Sequence, residues 1–236
     1  MIEKYNEPFD YFVIDNFLDE DLALKLSSEF PAYDSKDWYT YDNPLENKKA
    51  LNNWYLYPQT TYAFLHDMNS DAFVSQLEEI TGETLFPDMG LHGGGWHIHG
   101  NGGKLNVHLD YSLHPKLHLQ RKYNLILYLS PDWDTSWGGN LELWSHNDDT
   151  KLPKDKVATI ECKFNRAIIF DASMNSWHGF NDPINCPEGM YRKSIAIYYL
   201  KRPEGVVDER QRALYAPSKE QENDKNVLEF IKVRAK

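Results

Sequence analysis

Between Leu85 and Leu200 the chain is a succession of short alternating or apolar runs with no helical period between them, and this limits its fold more than any other feature. Glycines at positions 90, 93, 94, 95, 100, 102 and 103 punctuate the first of these runs, as turns punctuate strands. Strands are predicted over 95–99, 104–110, 122–130, 139–144, 157–161, 166–170 and 191–200. A parallel α/β sheet needs helices in its crossovers, so strands following one another directly point instead to a sandwich or jelly roll.

Upstream, 9–15 reads as a strand, and Asp19 as the N-cap of a helix over 20–30 whose apolar positions are Leu22, Leu24, Leu26 and Phe30. Residues from Pro31 to Trp54 are polar and aperiodic, which predicts a long surface loop. Helices follow over 58–68 and 70–80, the second framed by Ser70-Asp71 and Thr81-Gly82. A charged tail begins at Pro203, with a helix predicted at 218–233. The expected organisation is a single domain over 1–236. Helical support spans about 1–85, a mainly β core about 86–202, and a helical tail about 203–236.

The 236 residues are 41% hydrophobic and 14% aromatic, enough for a packed core and an aromatic-lined cavity. A net charge of −11 argues against nucleic acid as a partner, since phosphate binding needs a cationic footprint. No apolar run has membrane-spanning length and the first residues lack a signal core, so neither a membrane nor secretion is expected. Cys162 and Cys186 form no CxxC motif, and the expected setting is the reducing cytoplasm.

The chemistry concentrates in Leu105-Asn106-Val107-His108-Leu109-Asp110. Side chains two apart on a strand share a face, so an apolar row anchors the segment while His108 and Asp110 project together. His178, in Ser176-Trp177-His178-Gly179, is a candidate third ligand. Two imidazoles and a carboxylate on one face of an octahedron leave positions open for a co-substrate and dioxygen, as in non-haem Fe(II) oxygenases. His-x-Asp is also a common spacing, and a lone histidine is more often an ordinary hydrogen-bonded residue. In the last strand, Arg192 and Ser194 share a face. A buried arginine needs an anion, and a planar guanidinium suits a carboxylate, although an acidic side chain would serve equally. Tyr128 shares its face with Asn124 and Ile126 and could offer a hydroxyl to the same anion.

These blocks, taken in order, resemble the prolyl-4-hydroxylase-type 2-oxoglutarate/Fe(II) oxygenases. They are His108-Leu109-Asp110, Arg121 through Trp133, Trp137 through Leu143, Phe164 through Phe170, Trp177-His178-Gly179 and Arg192-Lys193-Ser194. The resemblance covers about 92–200, with a weaker echo in Pro8 through Ile14. It implies a double-stranded β-helix, the cupin-like form of the jelly roll, buttressed by N-terminal helices. It implies further that His108, Asp110 and His178 bind Fe(II) and that Arg192 pairs with a carboxylate of 2-oxoglutarate, assisted by Tyr128 and Ser194. The implied reaction uses dioxygen, with ascorbate as accessory reductant, and converts 2-oxoglutarate to succinate and carbon dioxide while hydroxylating an unactivated C–H bond. The first substrate class is a prolyl residue of a protein or peptide; a free amino acid or other small metabolite is the alternative. A non-catalytic sensor that binds metal and 2-oxoglutarate is the competing class.

The chain also departs from the hypoxia-type enzymes. Ile98, flanked by His97 and His99, stands where they carry a second co-substrate tyrosine, and the stretch from His178 to Arg192 is longer. His97 and His99 are therefore read as a rival metal pair, as substrate or co-substrate contacts, or as exposed residues. His114 and His118 lie in the loop after the ligand strand, with His114 a candidate substrate contact. Trp96, Trp133, Trp137 and Trp144 are read as packing residues.

Overall fold

The structure is a computed structural model that describes residues 2–173, 175–205 and 207–235. It is mainly β, a curled antiparallel sheet with few helices, and the expected jelly-roll order of strands is present. In chain order the elements begin with β1 (Ile2–Tyr5), β2 (Tyr11–Ile14), α1 (Glu20–Ser28), β3 (Tyr39–Asn43) and β4 (Glu46–Leu51). Next come α2 (Gln59–Met68), α3 (Asp71–Thr81), β5 (Phe86–Pro87), β6 (Gly95–His99), β7 (Lys104–Leu109) and β8 (Gln120–Tyr128). The last are β9 (Leu141–His146), β10 (Pro153–Ile160), β11 (Ala167–Asp171), β12 (Trp177–Phe180), β13 (Arg192–Lys201), β14 (Leu214–Tyr215) and α4 (Lys225–Arg234).

Hydrogen-bonded neighbours run β1-β2-β11-β8-β13-β6-β4-β7-β12-β9-β10. Strand alternation sorts the side chains of this sheet into two environments. Leu125 and Leu127 of β8, Ile195 and Ile197 of β13, and Trp96 and Ile98 of β6 face outward onto α1, α2 and α3. They pack there with Leu26, Leu65, Val74 and Leu77. The intervening residues face the inside of the curl, where Tyr128, Ile168 and Phe170 meet Leu141, Leu143 and Phe180 from the opposite limb. Each inner strand is buried on both sides, which is why its sequence looks nearly continuous in apolar residues.

Helix boundaries follow local chemistry. The Ser70 hydroxyl accepts from the Phe73 N–H at the start of α3, and Gly82, at φ +73°, closes it with its N–H on the Glu78 carbonyl. Asp19 holds the N-cap position of α1, yet its carboxylate makes no capping bond.

The predicted loop from Pro31 to Trp54 is corrected: it contains the β3–β4 hairpin. β4 is the seam of the curl, pairing at its end with β6 (Leu51 opposite Trp96) and at its start with β7 (Glu46 opposite Leu105). Its inward row is Glu46, Lys48 and Ala50, so no apolar alternation betrays it. Residues 1–85 are consequently more than a helical support, because β2 and β4 both join the main sheet. In the tail, β14 was not anticipated, and the predicted helix at 218–233 begins later, at Lys225, behind an Asp224 side-chain cap. Among the described residues no helix is long and apolar enough to cross a membrane.

Leu125 is fully buried between sheet and helices. Leu125→Ala is expected to lower unfolding free energy by about 2–5 kcal/mol in a urea titration, the usual range for a buried leucine. Lys154→Ala, on an exposed edge, should change it by less than about 0.5 kcal/mol.

Candidate metal centre and its cavity

β7 and β12 pair antiparallel with His108 directly opposite His178, and their rings lie 4.4 Å apart. Asp110, one residue beyond β7, turns its carboxylate to both. Oδ1 is 3.5 Å from His108 Nε2 and Oδ2 is 3.7 Å from His178 Nε2. One ligand atom from each residue lies within 4.8 Å of the other two, and all three side chains are buried. This is a donor set able to hold a divalent metal on one face. Each histidine is already oriented for that. Its Nδ1 sits 2.9 Å from the carbonyl of the residue two before it, Asn106 or Ser176. A carbonyl can only accept, so Nδ1 carries the proton and Nε2 presents a lone pair. Gly179 permits the approach of the two strands, because a Cβ there would lie 2.7 Å from the Leu105 carbonyl oxygen. Phe170 packs edge-on against His178, and Tyr215 of β14 stacks on His108 at 5.0 Å.

Burial, reinforced by His108, lowers the His178 pKa to about 4, so the ring is neutral at pH 7. Burial acts to raise the Asp110 pKa. The charge of Arg121, followed by the two histidines, outweighs it and holds the carboxyl well below its usual range. Arg121 Nη1 is 3.2 Å from Asp110 Oδ2, and Nη2 donates to the His92 carbonyl at 2.9 Å. The guanidinium lies between the rings of Tyr111 and Tyr198, 3.4 and 3.2 Å from their centroids. No role for Arg121 is predicted from the sequence. The signal was there: an arginine heading an apolar strand, the same argument that singled out Arg192.

The triad opens into a cavity of about 430 Å³ inside the curl. At one end Arg192, buried, donates from Nε to the Gly139 carbonyl at 2.7 Å, with its guanidinium 4.9 Å from the Tyr128 ring and 5.1 Å from Phe180. Gly139 is required there, since a Cβ would fall 2.7 Å from Arg192 Cδ. Ser194 stands in register with both Tyr128 and His97, and Arg192 with His99. The Tyr128 hydroxyl is buried with no hydrogen-bond partner among the described residues. A buried arginine beside an unpartnered phenol fits a small carboxylate.

His97 and His99 both line the cavity. They do not complete a second metal cluster among the described residues, and His99 is buried rather than exposed. Both ring nitrogens of His99 lack partners, and burial followed by Arg192 holds the ring neutral. Burial, with Lys48 and Arg192, lowers His97 to about 3. His114 is brought elsewhere. Its Nδ1 accepts the N–H groups of Lys116 and Leu117, its ring packs on His92 at 5.1 Å, and it does not line the cavity. The structure shows His114 shaping this turn.

The cavity wall opposite β13 was not anticipated. Glu46, 1% exposed, accepts from the Tyr215 hydroxyl at 3.0 Å, lies 3.3 Å from Lys48 Nζ and pairs with Arg234 of α4. Hairpin and tail thereby close one side of the site.

The sequence profile of the 2OG-Fe(II) oxygenase superfamily matches residues 94–200. The chain is 30% identical over 92 residues to the prolyl 3-hydroxylase OGFOD1 of Xenopus laevis, covering 37% of this chain and 17% of that protein. It therefore spans about a sixth of that relative's length. Its fold is similar to a prolyl-4-hydroxylase of Pseudomonas putida (TM-score 0.57, 16% identity, 82% of this chain and 93% of that one). It is also similar to a Trichoplax adhaerens prolyl hydroxylase in complex with a hypoxia-inducible-factor peptide fragment (TM-score 0.55, 17% identity, 81% and 83%).

Because Arg121 compensates the charge of Asp110, Arg121→Met is expected to weaken Co(II) binding about 10- to 100-fold, the usual effect of removing a partner behind a metal ligand. Absorbance titration measures this, and an unchanged affinity would dissociate Arg121 from the site.

Proposed function

We propose that the chain, whose residues 94–200 match the 2OG-Fe(II) oxygenase superfamily, is a dioxygenase hydroxylating an unactivated C–H bond, with a prolyl residue of a protein or peptide as substrate. The observation that carries this reading is one cavity with a buried His-Asp-His set at its wall and, at its end, Arg192, whose guanidinium lies 4.9 Å from the buried Tyr128 ring. His108, Asp110 and His178 would hold Fe(II). Arg192, Tyr128 and Ser194 would hold 2-oxoglutarate through a carboxylate. We further assign ascorbate as accessory reductant. The two free, buried thiols of Cys162 and Cys186 support a reducing compartment, the cytoplasm.

Bound together, Fe(II), 2-oxoglutarate and dioxygen supply the oxidising power for hydroxylation, with succinate and carbon dioxide as co-products. The protein's residues perform the rest. The Nδ1 bonds to Asn106 and Ser176 keep both imidazoles aimed, so no reorganisation is needed as ligands bind. Arg121 keeps Asp110 ionised at working pH, so metal does not compete with a proton there. Arg192 neutralises the co-substrate carboxylate inside a wall of Tyr128, Leu141 and Phe180, where low polarity strengthens the pairing and excludes water. His97 and His99, neutral and lining the cavity, would donate or accept toward substrate. The family relative that is a prolyl 3-hydroxylase and the neighbour carrying a peptide support a prolyl substrate.

The test is succinate formation from 2-oxoglutarate in the presence of Fe(II), with and without prolyl peptides. His108→Ala and Asp110→Ala are expected to abolish it. Arg192→Ala should raise the apparent KM for 2-oxoglutarate about tenfold or more, since a charge-assisted bidentate pair contributes roughly 1.5–3 kcal/mol. An unchanged KM removes Arg192 from that role, and no iron-dependent succinate under any condition overturns the enzyme reading in favour of a binding module.

A further inference from the structure

The cavity does not end at its mouth. Tyr39, Tyr41, Tyr111, Ala213 and Arg234 line both the cavity and an adjoining groove of about 600 Å³ between the β3–β4 hairpin and the tail. Its rim presents Tyr39, 66% exposed, and Phe230 and Val233 of α4, which are 37% and 57% exposed. A small metabolite is ordinarily enclosed by its pocket, whereas an open trough leading from a deep site leaves room for chain on either side of one inserted residue. Exposed aromatic and aliphatic side chains at such a rim are typical contacts for a polypeptide.

The charge at the mouth runs against that of the molecule. Lys48, Arg212 and Arg234 stand there against Glu46 and Asp42, in a chain of net charge −11. Lys48 and Arg234 share the single carboxylate of Glu46, and Arg212 is exposed with no ion pair among the described residues. One positive charge is in excess beside the opening, where it attracts acidic and repels basic sequences. All five of these residues lie outside the family match at 94–200.

The geometry points to a groove for an extended polypeptide with an acidic residue next to the one entering the cavity, read by Arg212 and Lys48. This rests on the oxygenase reading and specifies its substrate. The hairpin and tail choose the partner, while the matched region holds the ligands.

The holoenzyme is incubated with Fe(II), 2-oxoglutarate and a synthetic prolyl-peptide library carrying acidic, neutral or basic residues beside the proline, and products gaining one oxygen are sequenced by mass spectrometry. Acidic flanks are expected to be enriched about tenfold, the effect of roughly 1.4 kcal/mol. Arg212→Glu, an exposed substitution, should erase or reverse that preference, and Lys48→Met should weaken it through KM rather than kcat. In parallel, fluorescence anisotropy of a labelled acidic prolyl peptide under anaerobic conditions should show weaker binding to Arg212→Glu than to the parent. Peptide products without acidic enrichment, or succinate formed with free amino acids but with no peptide, would overturn the groove assignment and leave the oxygenase intact. Absence of succinate altogether would instead overturn the reading beneath it.

Discussion

A buried carboxylate without a counter-charge is among the most expensive things a protein interior can contain, and Asp110 is a buried carboxylate that needs one. Arg121 answers it, but a guanidinium taken out of water makes demands in turn. It is met by the faces of Tyr111 and Tyr198 and by the His92 carbonyl. The consequence reaches across the molecule, because Tyr111 follows the ligand strand, Arg121 is the second residue of β8, Tyr198 lies on β13 and His92 precedes β6. Four segments must arrive together before one ligand can remain charged inside the curl. The two histidines need less, since each is aimed by the carbonyl of the residue two before it.

Alternation on the inner strands supplies the scaffold for this arrangement. On β8 and β13 every second residue faces the helices and contributes to the larger core, and the residues between line the cavity. The packing that stabilises the sheet and the chemistry that fills the cavity therefore occupy opposite faces of the same strands. A slip of one residue would exchange them, sending Leu125 and Ile195 into the cavity and Tyr128 and Arg192 into the helices. Stability and site geometry are tied through register.

The ligand strand β7 has two edges to satisfy. One pairs with β12, which brings His178 opposite His108. The other is shared between β4 at Leu105 and β14 at His108 and Leu109. Arg210 adds bonds to the carbonyls of Leu109 and Asp110, and Asn106 reaches the tail at Ala216 and Gln221. The hairpin and tail, remote in sequence from each other, thus brace the same strand and join through Glu46 and Arg234.

What could be read from the sequence alone is what depends on local period and residue type. The strands of the core, the α3 caps, the sharing of a face by His108 and Asp110, and the pairing of Arg192 with Ser194 follow from spacings of two and from turn chemistry. The chain order of the blocks added the resemblance to a family. The β3–β4 hairpin was hidden because its inward row is polar, lining a cavity in place of a core. β14 is two residues long, too short to carry a period, and the buried state of His99 is invisible in a Gly-rich stretch. Only the tertiary structure could bring Arg121 between two tyrosines, separate His114 from the cavity, and set Glu46 between Lys48, Tyr215 and Arg234. Those contacts join residues far apart along the chain, and their strength comes from exclusion of water, a property of the assembled fold and not of any segment.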